Sequence, residues 1–310
     1  MKILIAGIGA MGGSFAHKLS NKHEIVAIDT WQENVKKINE NGLTVVDLGK
    51  KIINKNIKAY MLEEYKEKAD LIIIFVKSML LETMLEKLKP NIGDNTKVLC
   101  MLNGLGHIQT LKKYIKDENI VIGISLITAS LKSAGSIALT SYAYNEISGL
   151  NEKGRENAKM VAKLITDCGL PTNFVSDVKE AIWEKACVNG VFNSLSTILD
   201  LRLGEFRDLP RLEHILKEII EEFHKIALFE GVDFDKNKAF EKVYRCTQKG
   251  YQGEFHYPSM HQDLRQHGRK TEIDFLNGYI SEKGKEYGEK TPYCDLITFE
   301  IKALERKLIK

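Results

Sequence analysis

The chain opens with a short apolar run, Ile3 to Ala6, that flows directly into Gly7-x-Gly9-x-x-Gly12. A strand, a tight turn and a helix start in that order admit few folds. Each glycine has its own reason: Gly7 permits the turn, Gly9 lets backbone approach a pyrophosphate, and Gly12 lets helix and strand pack closely. Ile8, Ala10 and Met11 complete the loop, whose unpaired N–H groups would face the pyrophosphate. Ser14 to Leu19 continues as a helix, and Glu24 to Asp29 reads as a second strand. That strand ends in an acid 17 residues after Gly12, where a carboxylate would bond a ribose 2′-OH. Lys2 before an apolar run also invites a secretory-signal reading, but the glycines at 7, 9, 12 and 13 break up the apolar stretch that a signal needs.

A chain of 310 residues predicts two domains. Its 45 basic and 42 acidic residues balance to +3 with no basic run, so nucleic acid is not an expected partner. The apolar run Leu71 to Val76 is far too short to span a bilayer. The five cysteines are widely spaced with no C-x-x-C pair, as in a reduced, cytoplasmic protein. His256, His261 and His267 do not share a helix face, so no metal is expected.

The first half alternates strands and helices. Leu71 to Val76, Lys97 to Leu102 and Val121 to Ile127 read as buried strands. Helical stretches fall at Leu80 to Leu88 and His107 to Ile115, strand-like alternation at 137–148, and a helix at 152–168. From Val178 onward the segments 178–199, 209–230, 235–249, 271–287 and 293–309 are long, amphipathic and helical. The expected fold is α/β: an N-terminal Rossmann-type, doubly wound sheet domain at 1–176, then an all-α domain at 177–310 carrying substrate and catalysis. The amphipathic helices suit burial within a monomer or across a homodimer.

Ligands meet the carboxyl ends of strands in such sheets. Lys77 follows the strand 71–76 and Asn103 follows 97–102, so both are candidates for the cofactor cleft. The more telling segment runs from Trp183 to Asn193. Lys185, Asn189 and Asn193 recur every four residues and line one helix face. They supply a proton donor and two amides on a helix whose other positions are mostly apolar, and burial makes such a stripe costly unless a ligand or partner satisfies it. Further on, Ser259 to Asp263 and Thr271 to Asp274 form a polar cluster in which Ser259 or Thr271 could cap a helix.

These pieces together resemble the ketopantoate reductase family. The match covers Gly7 to Gly12, Val76-Lys77, Asn103-Gly104-Leu105-Gly106 and Trp183-x-Lys185-x3-Asn189-x3-Asn193. It continues through Ser259-Met260-x-Gln262-Asp263, Thr271-Glu272-Ile273-Asp274 with Asn277-Gly278, and Thr291-Pro292. The resemblance implies hydride transfer between a nicotinamide and C2 of a 2-oxo acid, giving the (R)-2-hydroxy acid, with 2-dehydropantoate as the named substrate of pantothenate biosynthesis. It implies that Lys185 protonates the forming alkoxide, that Asn189, Asn193 and Ser259 hold substrate, and that Glu272 lies near cofactor and substrate. It also implies that Lys77, Asn103 and Ala129 contact the cofactor, Asn103 reaching substrate too. Many members prefer NADP and carry a cation near the end of the second strand. Asp29-Thr30-Trp31 stands there, and a carboxylate repels a 2′-phosphate, so NAD(H) is favoured over NADP(H). That strand end also resembles the NAD-dependent D-2-hydroxyacid (D-mandelate-type) dehydrogenases of the same family, which act on branched or aromatic acids. A non-catalytic dinucleotide sensor is the reading from another class, and it gives no reason for a proton-donor lysine.

Overall fold

The structure is a computed structural model describing residues 1–309. Two compact units emerge: residues 1–102 with 107–178, and residues 103–106 with 179–310. The sequence reading places one contiguous boundary at 176; the units divide after Val178, and Asn103–Gly106 groups with the helical unit.

The first unit is built on an eight-stranded sheet. Its strands are β1 (Lys2–Ala6), β2 (Glu24–Asp29), β5 (Ile57–Met61), β6 (Leu71–Ile74), β7 (Lys97–Cys100), β8 (Ile120–Ser125), β11 (Asn145–Gly149) and β12 (Thr172–Phe174). The order is β12-β11-β8-β7-β6-β1-β2-β5. Neighbours are parallel except β11, which runs antiparallel to β8. The four residues of β6 are all apolar and buried, as a strand covered on both faces requires. From β1 the chain builds outward one way through β2 and the other way through β6, so the sheet reverses direction of growth beside β1. Ligands in open α/β sheets bind at such a point.

A second sheet of four strands has the order β4-β3-β10-β9, from β3 (Leu43–Asp47), β4 (Lys50–Asn54), β9 (Thr128–Ser133) and β10 (Ser136–Ser141). No element is read from the sequence between Asp29 and Leu71, yet β3, β4 and β5 form there. Leu48 at φ 45° and Gly49 at φ 89° make the β3–β4 turn, in which both residues need the left-handed region. The alternating stretch 137–148 is not one strand: β10 and β11 join different sheets. Helix α1 (Ala10–Leu19) reaches both sheets. Phe15 meets Phe75 at 4.7 Å between ring centroids, and a Cβ at Gly13 would lie 3.1 Å from Ile137 of β10. The remaining helices of this unit are α2 (Gln32–Asn41), α3 (Leu81–Leu88), α4 (His107–Lys112) and α5 (Glu152–Asp167).

The second unit is helical: α6 (Lys179–Leu199), α7 (Leu212–Phe229), α8 (Lys236–Cys246), α9 (Ser259–His261), α10 (Asn277–Tyr287) and α11 (Pro292–Leu308). It has its own apolar core, with Phe206, Phe223, Ile280 and Ile301 fully buried. Gly190 lets α6 approach α7, since a Cβ there would sit 2.4 Å from the Phe223 ring. Glu222 of α7 is buried and accepts the N–H groups of Tyr293 and Cys294 at 2.9 and 2.8 Å, which caps α11 where Pro292 needs no partner. Among the described residues no helix is long and apolar enough to cross a membrane.

Candidate active site

The expected site residues fall into two sets, one in each unit. In the first unit, Gly7 N–H donates to Ile28 O at 2.8 Å and Phe75 N–H to Ala6 O at 2.7 Å, which ties the loop to the ends of β2 and β6. Gly7 has φ +91°, and a Cβ there would lie 2.8 Å from Phe75 O. A Cβ on Gly12 would lie 1.9 Å from Gly7 O, so this glycine is required by the fold itself. Gly9 differs: its φ is −73° and a Cβ would meet no atom of the protein within 4 Å. The space it leaves lies beside the α1 N-terminus, where Gly9 is the N-cap, no side chain caps the helix and no acidic residue occupies the first turn. The N–H groups of Ala10, Met11 and Gly12 have no intrahelical acceptor in such a first turn. A pyrophosphate fits this cradle chemically: space where a side chain is missing, N–H donors and the positive end of a helix.

Asp29 ends β2, and its carboxylate already has three backbone donors. Its Oδ2 accepts from Ile8 N–H at 2.9 Å, and its Oδ1 from Thr30 N–H at 2.7 Å and Trp31 N–H at 3.0 Å. The acid thereby fixes the glycine loop to the second strand. Asn34 adds a second tie, donating to Ile8 O at 3.1 Å and accepting from Gly135 N–H at 2.7 Å. Sequence reasoning did not single out Asn34. Lys36 pairs with Glu40 at 3.8 Å, and both are well exposed.

Two positions shift. Strand β6 stops at Ile74, not Val76, so Lys77 lies three residues beyond it, half-buried, as the N-cap of a 3-10 turn at Ser78–Leu80. Strand β7 stops at Cys100, not Leu102, and half-buried Asn103 begins the segment that groups with the second unit. Ala129 lies on β9 of the small sheet, partly buried and opposite Leu139.

In the second unit, α6 carries Lys185, Asn189 and Asn193 along one face. Lys185 and Asn189 are half-buried and Asn193 is buried. Positions on the opposite side, Cys187 and Val191, are fully buried in the apolar core. The neighbouring Glu184 is engaged from α8 by Lys242 and, at 3.8 Å, by Lys238, which leaves Lys185 to a different partner. Burial pushes the Lys185 ammonium down to about 8, and the Glu272 carboxylate opposes that fall. Glu272 is half-buried and immediately precedes a 3-10 turn, Ile273–Phe275.

The Asn103 segment docks on that same turn. Leu105 N–H donates to Phe275 O at 2.8 Å, and Phe275 N–H donates to Glu272 O at 3.0 Å. Gly104 (φ +96°) and Gly106 (φ +85°) make the approach possible: a Cβ would lie 2.5 Å from Phe275 O at the first and 3.0 Å from the Tyr279 ring at the second. Tyr279 in turn meets Trp183 edge-on at 6.1 Å. The two glycines in Asn103-Gly104-Leu105-Gly106 were the readable trace of this contact, beyond simple turn chemistry. Ser259 is exposed at the first position of α9, with Pro258 as N-cap. Thr271 caps no helix either: its hydroxyl accepts from Ile273 N–H at 3.3 Å, and α10 begins only at Asn277. After α9 the chain makes a π-helical turn, Gln262–Gln266. His261 Nε2 contacts Asp200 at 2.7 Å, and among the described residues no group of three or more His, Cys, Asp or Glu is placed to hold a metal ion.

Comparison with known proteins brings both sets under one family. The ketopantoate reductase PanE/ApbA family matches residues 3–152, and its C-terminal domain matches residues 177–305. A 2-dehydropantoate 2-reductase of Lactococcus lactis is 39% identical, covering 99% of each chain. One of Streptococcus pyogenes is 37% identical, again over 99% of each. Among solved structures, a D-mandelate dehydrogenase with NADH and anilino(oxo)acetate superposes with TM-score 0.95 at 39% identity, covering 99% of each chain. A putative 2-dehydropantoate 2-reductase from Enterococcus faecalis superposes with TM-score 0.80 at 36% identity, also over 99% of each. With both parts of the family pattern matched and full-length relatives at this identity, the chain belongs to the ketopantoate reductase family.

Proposed function

We propose that the protein reduces a 2-oxo acid to the (R)-2-hydroxy acid with a nicotinamide dinucleotide, 2-dehydropantoate being the leading substrate. The observation that carries this reading is Lys185: an ammonium whose burial brings it to about 8 while Glu272 keeps it from falling further. An acid with that balance is mostly protonated at neutral pH and can still release its proton. The bound nicotinamide supplies the hydride. Negative charge then grows on the former carbonyl oxygen, and Lys185 stabilises it before donating a proton to that oxygen. Asn189, Asn193 and Ser259 hold the substrate, with Asn103 contributing from the segment fixed on Phe275. Glycines 7, 9 and 12 with Ile8, Ala10 and Met11 receive the pyrophosphate, and Lys77 and Ala129 contact the dinucleotide. Asp29 favours NAD(H) over NADP(H), because a fixed carboxylate accepts from a free 2′-OH and repels a 2′-phosphate.

A second reading has its own support. The superposition at TM-score 0.95 is with a D-mandelate dehydrogenase that binds NADH, which favours a branched or aromatic 2-oxo acid. Oxidation of NADH and NADPH is followed with 2-dehydropantoate, phenylglyoxylate and 2-oxoisocaproate. Turnover of 2-dehydropantoate with the highest kcat/KM, and with NADH preferred, is the expected result. A higher kcat/KM for phenylglyoxylate or 2-oxoisocaproate selects the second reading. Tight NADH binding with no turnover of any of the three overturns both and leaves a dinucleotide sensor.

A further inference from the structure

Glu272 occupies a stretch with little regular structure of its own, yet its carboxylate must be held toward Lys185 if it is to bias that ammonium. Both flanks of Glu272 are held from one helix, α11. On one side Thr271, itself buried, donates both its N–H and its hydroxyl to the same oxygen, Oε1 of Glu305, each at 2.7 Å. On the other side Asp274 pairs with Lys302 at 2.5 Å. Lys302 and Glu305 are three residues apart on α11 and contact each other at 3.6 Å.

The two ties differ in weight. The Asp274–Lys302 pair has about half of each side chain exposed, at 56% and 43%, where a salt bridge contributes little. Glu305 is buried at 9%, and losing its carboxylate would strand two buried donors of Thr271. The charged groups around the arrangement include Lys302 beside Glu305, Asp274 across from Lys302, Glu272 beside Lys185, and Asp263, which pairs with Arg269 at 3.5 Å just ahead of Thr271; Glu184 on α6 is engaged by Lys238 and Lys242 of α8.

We propose that Glu305 is a positioning residue: by holding Thr271 through both donors, it fixes Glu272 where it supports Lys185 as the proton donor. This rests on the reading of Lys185 given above. The carboxylate of Glu305 touches neither substrate nor dinucleotide in this account. It acts through the Thr271–Glu272 peptide.

The test is the pH profile of kcat/KM for 2-oxo acid reduction in the wild type, Glu305→Ala and Glu305→Gln. Glutamine keeps an amide oxygen for both Thr271 donors and removes the charge, while Lys302 is exposed enough to turn away. Glu305→Ala is expected to move the alkaline limb down by about one pH unit and to lower kcat by about 10- to 100-fold. Glu305→Gln is expected to keep the limb within a few tenths of the wild type. A folded Glu305→Ala enzyme with unchanged limb and kcat, altered only in Tm, would falsify the proposal. So would a Gln variant shifted as far as Ala, because charge alone would then account for the effect. If Glu305→Ala does not fold, Thr271→Val removes one of the two bonds and is expected to shift the limb the same way by less; an unmoved limb there overturns the proposal too. A wild type with no alkaline limb contradicts Lys185 itself, which separates that failure from this one.

Discussion

The glycine loop and the Lys185 face reach their geometry by opposite routes. In the loop, strand, turn, helix and acid lie within residues 2–31, and they meet through backbone hydrogen bonds, backbone N–H groups donating to the Asp29 carboxylate, and close backbone approaches. The Lys185 face is assembled from α6, the Glu272 turn, the Asn103 segment and α11, which span residues 103–308. Local motifs of the first kind resist rearrangement because sterics enforce them. The second kind depends on electrostatic balance, where moving one carboxylate retunes the ammonium proposed as the proton donor.

The largest expected effect lies in the second region. Lys185→Ala is expected to reduce turnover by about 10²- to 10⁴-fold while NADH binding, measured by fluorescence titration, stays close to wild type. Near-normal turnover would remove Lys185 from the chemistry. The loop offers a sharper internal contrast. Gly12→Ala forces a Cβ against Gly7 O at 1.9 Å, so thermal unfolding should register a loss of about 1–3 kcal/mol. Gly9→Ala meets no protein atom within 4 Å. Its stability should change by about 1 kcal/mol or less, while NADH affinity falls about tenfold or more as donors to the pyrophosphate are crowded. Equal loss of stability in both variants would break the distinction between a glycine required by the fold and one required by a ligand.

The difference in route also explains what could be read in advance. Gly7, Gly9, Gly12 and Asp29 were legible because they fall within one strand–turn–helix–strand unit, although the close approach that Gly7 permits is to Phe75, 68 residues on. The i, i+4 recurrence of Lys185, Asn189 and Asn193 was legible because helical geometry puts such residues on one face. The small sheet was not, since β4 carries exposed lysines and β3, between β4 and β10, finds its second partner some ninety residues later, in the register Thr44 with Ser136. The alternation at 137–148 has the right period for strands but does not say that two strands share it. Strand ends at Ile74 and Cys100 were overrun because the apolar composition continues past the last ladder bond. The tie from Glu305 to Thr271 joins residues 34 apart, and a glutamate near the end of an amphipathic helix gives no sign of such a partner.

In the proposed reaction Lys185 donates the proton and Glu272 sets its acidity. The most direct measurement is kcat/KM for reduction against pH in the wild type and in Glu272→Gln. Donation requires the ammonium, which is fully present below its pKa and lost above it, so the wild-type profile should fall as pH rises through about 8. The reverse oxidation needs the neutral amine and should rise over the same interval. Removing the carboxylate that raises the ammonium's pKa should move the limb to lower pH by about one unit. A limb that stays in place in Glu272→Gln would show that Glu272 does not set this acidity, and a wild-type profile flat through pH 8 would show that Lys185 is not the proton donor.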